Sequence, residues 1–157
     1  METYKYKYGL SLVEMLIVVG VIAVLASLVI GIAARIDNQS KERCLKTTLA
    51  LLEEALQEYY DYYKVFPDPN QQHSPSYPTH SAALYGQLYE TPSSRKILDK
   101  ISDSLIKNSP GTLEILQIHD PWGTVLNYKY VPGNTFPELI SAGPDKEFNS
   151  ADDISNK

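Results

Sequence analysis

The sequence predicts an α+β fold: one long N-terminal helix, membrane-crossing and then amphipathic, packed on a small antiparallel sheet near the C-terminus. Three observations predict it. Residues 10–34 form an apolar run in which Glu14 is the only charged residue. The first proline is Pro67, so nothing obliges a helix begun in that run to stop before it. Beyond residue 119, short segments of alternating character are separated by Pro, Gly and Asn, the pattern of strands joined by turns.

The apolar run comes first. As a helix it would rise roughly 37 Å, enough to cross a hydrocarbon core of about 30 Å. Lys5 and Lys7 precede it. Positive charge before a first span keeps that end cytoplasmic, so the rest of the chain is expected to face outward. A cleaved secretory signal fits poorly. The run is longer than the roughly 7–15 residues of such a signal, and a glutamate interrupts it near its start. A plain uncleaved anchor is the simpler alternative, and it leaves Glu14 unexplained.

After Arg35 the pattern turns amphipathic. Leu45, Leu49, Leu52, Leu56, Tyr59 and Tyr63 recur every three or four residues, which is one apolar stripe on a helix. Glu53, Glu54, Glu58 and Asp61 fall mostly off that stripe. The stripe reads as one wall of a core. Pro67 and Pro69 end the helix, and residues 70–80 read as a loop. Two short helices are expected over 81–89 and 94–107, the second carrying apolar Ile97, Leu98, Ile101, Leu105 and Ile106. Strands are expected over 112–118, 125–131 and 136–142, with a turn at Asp120-Pro121-Trp122-Gly123 and a hairpin connection over 132–135. Residues 143–157 are acidic and show no periodicity.

Composition excludes several functions. The net charge is −5, against the basic stripe usual in nucleic-acid binding, so no nucleic-acid partner is expected. One cysteine, Cys44, allows no internal disulfide; it lies beside the stripe and reads as a small hydrophobe. His73, His80 and His119 lack zinc-site spacing. There is no G-x-S-x-G and no phosphate-binding G-x-x-x-x-G-K. No constellation of residues supports an enzyme. Trp122 reads as a core anchor, and the 12 tyrosines as core edges and subunit contacts.

Glu14 is the first candidate functional residue. An ionised carboxylate in a membrane helix costs roughly 2.5–3.5 kcal/mol, so it calls for a cationic partner. Residues 10–34 contain no Lys or Arg. Cleavage between Gly9 and Leu10 would create an α-amino group to serve, and Glu14 of one helix could meet that amine on a displaced neighbour. The small residues Gly20, Ala23, Ala26, Gly31, Ala33 and Ala34 allow helices to approach closely.

The second candidate is the acidic C-terminal stretch with Asp145, Glu147, Asp152 and Asp153. Oxygen-rich clusters suit hard cations such as Ca²⁺. The spacing is not that of an EF-hand, and on composition alone a solvated acidic tail is favoured. Gly143-Pro144 and Asn149 as turn formers, with Ile154 to pin the end, argue for a folded loop.

Residues 9–16, Gly-Leu-Ser-Leu-Val-Glu-Met-Leu, resemble the processing site of type IV prepilins and pseudopilins. The C-terminal half narrows the resemblance. Asp120-Pro121-Trp122-Gly123 before a tyrosine-rich strand, and Ser141-Ala142-Gly143-Pro144-Asp145 leading to Ala151-Asp152-Asp153-Ile154, resemble G-type major pseudopilins of type II secretion. The resemblance implies a pilin-like fold. It also implies cleavage after Gly9 by a prepilin peptidase, N-methylation of Leu10, and an assembly role for Glu14. It implies a Ca²⁺ loop held by Asp145, Asp152 and Asp153, with the carbonyls of Ala142 and Ser150 as further candidates. Leu10 departs from the commoner phenylalanine. Lys146 and Asn149 stand where glycine is frequent, and the usual terminal tryptophan is absent.

On this reading residues 1–9 are a leader, 10–35 the membrane and polymerisation half of the helix, and 36–157 a periplasmic head. The head comprises helix 36–64, a variable region 65–118, and the sheet with its acidic loop, 119–157. The implied partners are copies of the chain itself, the prepilin peptidase, the inner-membrane assembly platform and minor pseudopilins. The implied location is the bacterial inner membrane, as a single pass with the N-terminus cytoplasmic, and then a periplasmic filament. A surface-fibre pilin is the nearest rival; many such pilins close this C-terminal region with a disulfide that one cysteine cannot supply. A membrane-anchored binding module is the rival from another class.

Overall fold

The computed structural model describes residues 11–68, 80–109, 115–131, 133 and 136–157, with the backbone alone for 28–34. The chain divides into two compact units, Met1–Gln39 and Ser40–Lys157. The element order is helix-rich first and sheet-rich last, as an α+β chain requires.

Helix α1 runs from Leu12 to Tyr63, 52 residues. Ser11 precedes it, and the Ser11 N–H donates to Glu14 Oε2 at 3.3 Å. This is the backbone half of a capping box, in which an acid three residues in satisfies a free amide at the helix start. At the other end Lys64 takes a positive φ of 60° and its N–H reaches the Tyr60 carbonyl at 2.7 Å. A left-handed residue just past the helix is the ordinary way to close one, although a lysine fills the place of the more usual glycine. Residues 11–27 are all exposed in the first unit.

In the second unit, the stripe on α1 forms one wall of the core. Leu45, Leu49, Leu52 and Leu56 are buried and Tyr59 is half-buried. Tyr63, the last of the expected stripe, is 45 % exposed and meets Tyr59 and Tyr62 ring to ring. The opposing wall includes Leu84 and Leu88 of α2 (His80–Glu90), Ile97 and Leu98 of α3 (Pro92–Leu98), Ile118, Tyr128 and Leu139 from the strands, and Leu126 just ahead of one of them.

The expected helix over 94–107 is shorter and breaks early. Thr91 precedes α3 and Pro92 opens it, where a proline's missing N–H costs nothing. The Lys100 and Ile101 amides bond three residues back, to Ile97 and Leu98, which tightens and ends the helix. The chain continues as a 3₁₀ turn, Asp103–Leu105, and then strand β1, Ile106–Asn108. Asp99, Ser102, Asp103 and Ser104 explain the break, since short polar side chains compete with helical backbone bonds. Ile101 and Leu105 reach the core anyway.

Among the described residues, two small antiparallel sheets follow. Strand β1 pairs with β2 (Leu116–Ile118), with Ile106 opposite Ile118. In the second sheet β3 (Asn127–Lys129), β4 (Glu138–Ser141) and β5 (Ile154–Ser155) lie in that order. Tyr128 faces Leu139, and Ser141 faces Ile154. Strand β5 is an addition to the expected pattern: the acidic stretch folds back and closes the sheet. Residues 112–114 of the first expected strand, and Pro132, Asn134 and Thr135 of the hairpin connection, lie outside the described residues.

Buried polar groups tie helices to strands. Ser81 Oγ donates to the Ile118 carbonyl and accepts the Ile118 N–H. Ser94 Oγ donates to the Ala55 carbonyl at 2.9 Å. Tyr128 is fully buried and its hydroxyl donates to the Pro67 carbonyl at 2.7 Å. Burial holds that hydroxyl well above the ordinary tyrosine range, so it remains a donor at every physiological pH.

Candidate functional site

The first candidate region is the start of α1. Gly9 and Leu10 lie outside the described residues; Glu14 lies inside them, exposed on the first turn. Around it Leu12 is 83 % exposed and Leu16 69 % exposed. An apolar helix exposed on every side marks a surface that something else must cover. Among the described residues no helix is long and apolar enough to cross a membrane. The span expected from sequence covers 10–34, and Leu10 and the side chains of 28–34 lie outside the described residues. What remains is shorter than the roughly 20 residues a crossing takes.

The second region is the acidic loop between β4 and β5. Its path is set by three left-handed residues: Gly143 at φ 65°, Lys146 at 65° and Asn149 at 68°. Lys146 and Asn149 thus hold a backbone conformation that glycine adopts without strain. The Asp145 N–H donates to Asp152 Oδ2 at 3.1 Å, which closes the loop across its mouth. Asp145 Oδ1 accepts the Glu147 N–H, and Asp153 Oδ2 accepts the Asn149 N–H, both at 2.8 Å. The Ser150 hydroxyl donates to Asp152 Oδ1. That bond, with the Asp145 amide, holds the Asp152 carboxyl below the usual carboxylate range.

Asp145, Asp152 and Asp153 therefore belong to one folded loop, not a solvated tail. Ile154 is half-buried against the core and pins the end, as expected. Among the described residues no three His, Cys, Asp or Glu side chains are gathered closely enough to hold a metal ion. Two features nonetheless suit a hard cation. Asp153 Oδ1 is buried with no hydrogen-bond partner. A Cβ on Gly143 would collide with the Asp152 carbonyl oxygen, so the loop's two arms approach at backbone distance. The donors on offer, carboxylates and main-chain carbonyls, are all oxygen.

Sequence reasoning missed two polar residues around this loop. Asp120 is buried, and its Oδ1 accepts the N–H groups of Trp122 at 3.0 Å and Thr124 at 2.8 Å. Its Oδ2 accepts the Ser141 hydroxyl at 2.7 Å. Asn156 clamps the chain end: its Oδ1 accepts the Leu139 N–H, and its Nδ2 donates to Glu53 Oε1 and the Pro137 carbonyl. The Asx turn after Asp120 was legible as a turn, but not its reach to Ser141. Nothing in the sequence signals Asn156, whose partner Glu53 lies far away along the chain.

Cys44 needs correction. It is exposed rather than packed as a small hydrophobe, and with Lys41, Lys107 and Trp122 it lines an open groove. One position before Leu45, it is turned about 100° away from the buried stripe. Trp122 is half-buried against the core cluster. His119 faces the Gly123 carbonyl through Nδ1 at 3.1 Å; His80 opens α2, and His73 lies outside the described residues.

Comparison with known proteins adds two findings. Residues 4–30 match the prokaryotic N-terminal methylation motif, a window that contains Gly9, Leu10 and Glu14. The chain is 33 % identical over 152 residues to the type II secretion system core protein G of Escherichia coli (strain K12), covering 94 % of this chain and 89 % of that protein. No solved structure gives a significant match. With a likeness that covers 94 % of the chain, and the methylation motif set over Glu14, the chain belongs to the type II secretion core protein G family, the G-type pseudopilins.

Proposed function

We propose that this chain is a structural subunit of a type II secretion pseudopilus, and catalyses no reaction. Copies of it assemble into a periplasmic filament that helps drive protein secretion across the outer membrane. The near full-length likeness to core protein G carries this reading. In it the N-terminal helix first spans the inner membrane once, with its N-terminus cytoplasmic and the head in the periplasm. A prepilin peptidase cuts after Gly9 and Leu10 is N-methylated. The inner-membrane platform then adds the subunit to a filament that minor pseudopilins complete. Glu14 aligns each incoming subunit by pairing with the new amine of its neighbour. The exposed apolar face of residues 12–25 supports that role, because only lipid or like helices would cover it.

The acidic loop is the seat of a structural Ca²⁺ in this proposal. Asp145, Asp152 and Asp153 would hold the ion, with the carbonyls of Ala142 and Ser150 as further ligands. Bound there, the ion supplies positive charge that offsets carboxylates otherwise satisfied only by amides and one hydroxyl. Extracellular-type Ca²⁺ modules bind at about 10⁻⁴–10⁻³ M. At a few millimolar calcium, mass action then gives roughly 1–2 kcal/mol of stabilisation. Chelation is expected to lower the melting temperature of the full-length protein by a few degrees, and Asp145→Ala to abolish that shift. A melting curve indifferent to both would remove calcium from the proposal.

Intact mass and N-terminal sequence of the protein from its native membrane test the filament reading. The expected chain begins at methylated Leu10. A chain that still begins at Met1, or one cut near Ala34, would overturn it.

A further inference from the structure

We infer that Asp120 is a positioning residue for the acidic loop, acting through Ser141. Asp120 and Ser141 are both buried, 21 residues apart in sequence. Every donor to the Asp120 carboxylate named above is neutral: two amides of its own turn and one hydroxyl from the end of β4. A buried carboxylate is tolerable only while such donors remain, so the three bonds are costly to release.

The carboxylate also fixes the polarity of the chain of bonds. Ionised, it can only accept. The Ser141 hydroxyl hydrogen must therefore point at Asp120, which leaves a lone pair on Oγ for the Gly143 N–H at 3.1 Å. Were Ser141 free to rotate, that lone pair would be placed only part of the time. Gly143 is the residue that opens the loop. Its carbonyl accepts the Lys146 N–H, and its Cα lies against the Asp152 carbonyl. The mouth of the loop thus inherits its position from a turn between β2 and β3, outside the loop itself. The consequence for calcium rests on the loop being the ion's seat, as proposed above; the positioning does not.

The full-length protein in detergent micelles, with Ser141→Ala, Ser141→Thr and Asp120→Asn variants, provides the test. Amide hydrogen exchange is followed across 142–153 and, as reference, across 45–56. Calcium is titrated by calorimetry on the same samples. Ser141→Ala removes both bonds of the relay, and is expected to speed exchange in the loop about five- to tenfold while leaving 45–56 unchanged. The calcium midpoint is expected to rise by a similar factor. Ser141→Thr keeps the hydroxyl but adds a methyl in a buried site, and should loosen the loop less than Ser141→Ala does. Unaltered loop exchange in Ser141→Ala would overturn the inference, and so would equal loosening of loop and helix. If the wild type takes up no calcium while Ser141→Ala still frees the loop, the calcium reading falls and the positioning role stands. Should Asp120→Asn fail to fold, the neutral Ser141 pair carries the test alone.

Discussion

Leu52→Ala is expected to cost the head about 3–5 kcal/mol. Leu52 is fully buried in the middle of the α1 stripe, flanked along the helix by buried Leu45, Leu49, Ala55 and Leu56. Truncation removes three carbons from contact with a wall made by other elements of the core, and those elements are pinned. Ser94 fastens α3 to the Ala55 carbonyl, and Ser81 fastens α2 to strand β2. A wall held by such bonds closes poorly on a void, which places the cost in the upper part of the range for such truncations. Thermal or denaturant unfolding of the full-length protein measures it. Thr47→Ala is the control on the opposite, exposed face of the same helix, where a change within about 0.5 kcal/mol is expected. A Leu52→Ala cost near that of Thr47→Ala would mean that the stripe is not the core wall.

That stripe was legible because spacing by three and four is a local property of one helix. The strand expected over 125–131 is likewise present, shorter, as β3, with Tyr128 buried on it and Leu126 buried just ahead of it. Reading by spacing failed where local chemistry and long-range pairing compete. Ile97, Leu98, Ile101 and Leu105 keep helical spacing, yet the serines and acids among them break the helix after Leu98. The four still reach the core, so the apolar pattern identified the burial but not the backbone that achieves it. Strand β5 has two residues and exists only by pairing with β4, so no periodicity could announce it. Asn156 is similar: its bonds go to the backbone of β4 and to Glu53 on α1.

The candidate site divides the same way. Asp145, Asp152 and Asp153 were found as a cluster of like charge, and Gly143 and Asn149 as turn formers. Which carboxylate oxygen meets which amide depends on the left-handed turns at Gly143, Lys146 and Asn149. A lysine in that conformation gives no sign in composition. Cys44 was misplaced because a small apolar side chain next to a stripe was read by its polarity rather than by its angle around the helix.

Gly143→Ala should be among the most damaging single changes in the head, at about 3–4 kcal/mol, through two separable causes. The first is backbone strain: at φ 65° an L-residue pays roughly 1–2 kcal/mol that glycine does not. The second is the close approach. The new methyl carbon would collide with the Asp152 carbonyl oxygen and stand 3.0 Å from its carbonyl carbon. These are backbone atoms, held in place by β5 and by the Asp145 amide on the Asp152 side chain, so one arm of the loop must move. Such a movement would pull on the Ser141–Ile154 pairing and on the half-buried Ile154 behind it. Gly123→Ala separates the causes. Gly123 also has positive φ, at 96°, but a Cβ there meets nothing within 4 Å. Its alanine variant therefore pays the strain alone. Although φ 96° is at least as strained for alanine as φ 65°, Gly143→Ala should still cost more than Gly123→Ala, by up to about 2 kcal/mol, in unfolding free energies measured side by side. Equal costs would mean that the two arms of the loop do not meet, and with that the arrangement that brings Asp152 to the mouth of the loop would fail.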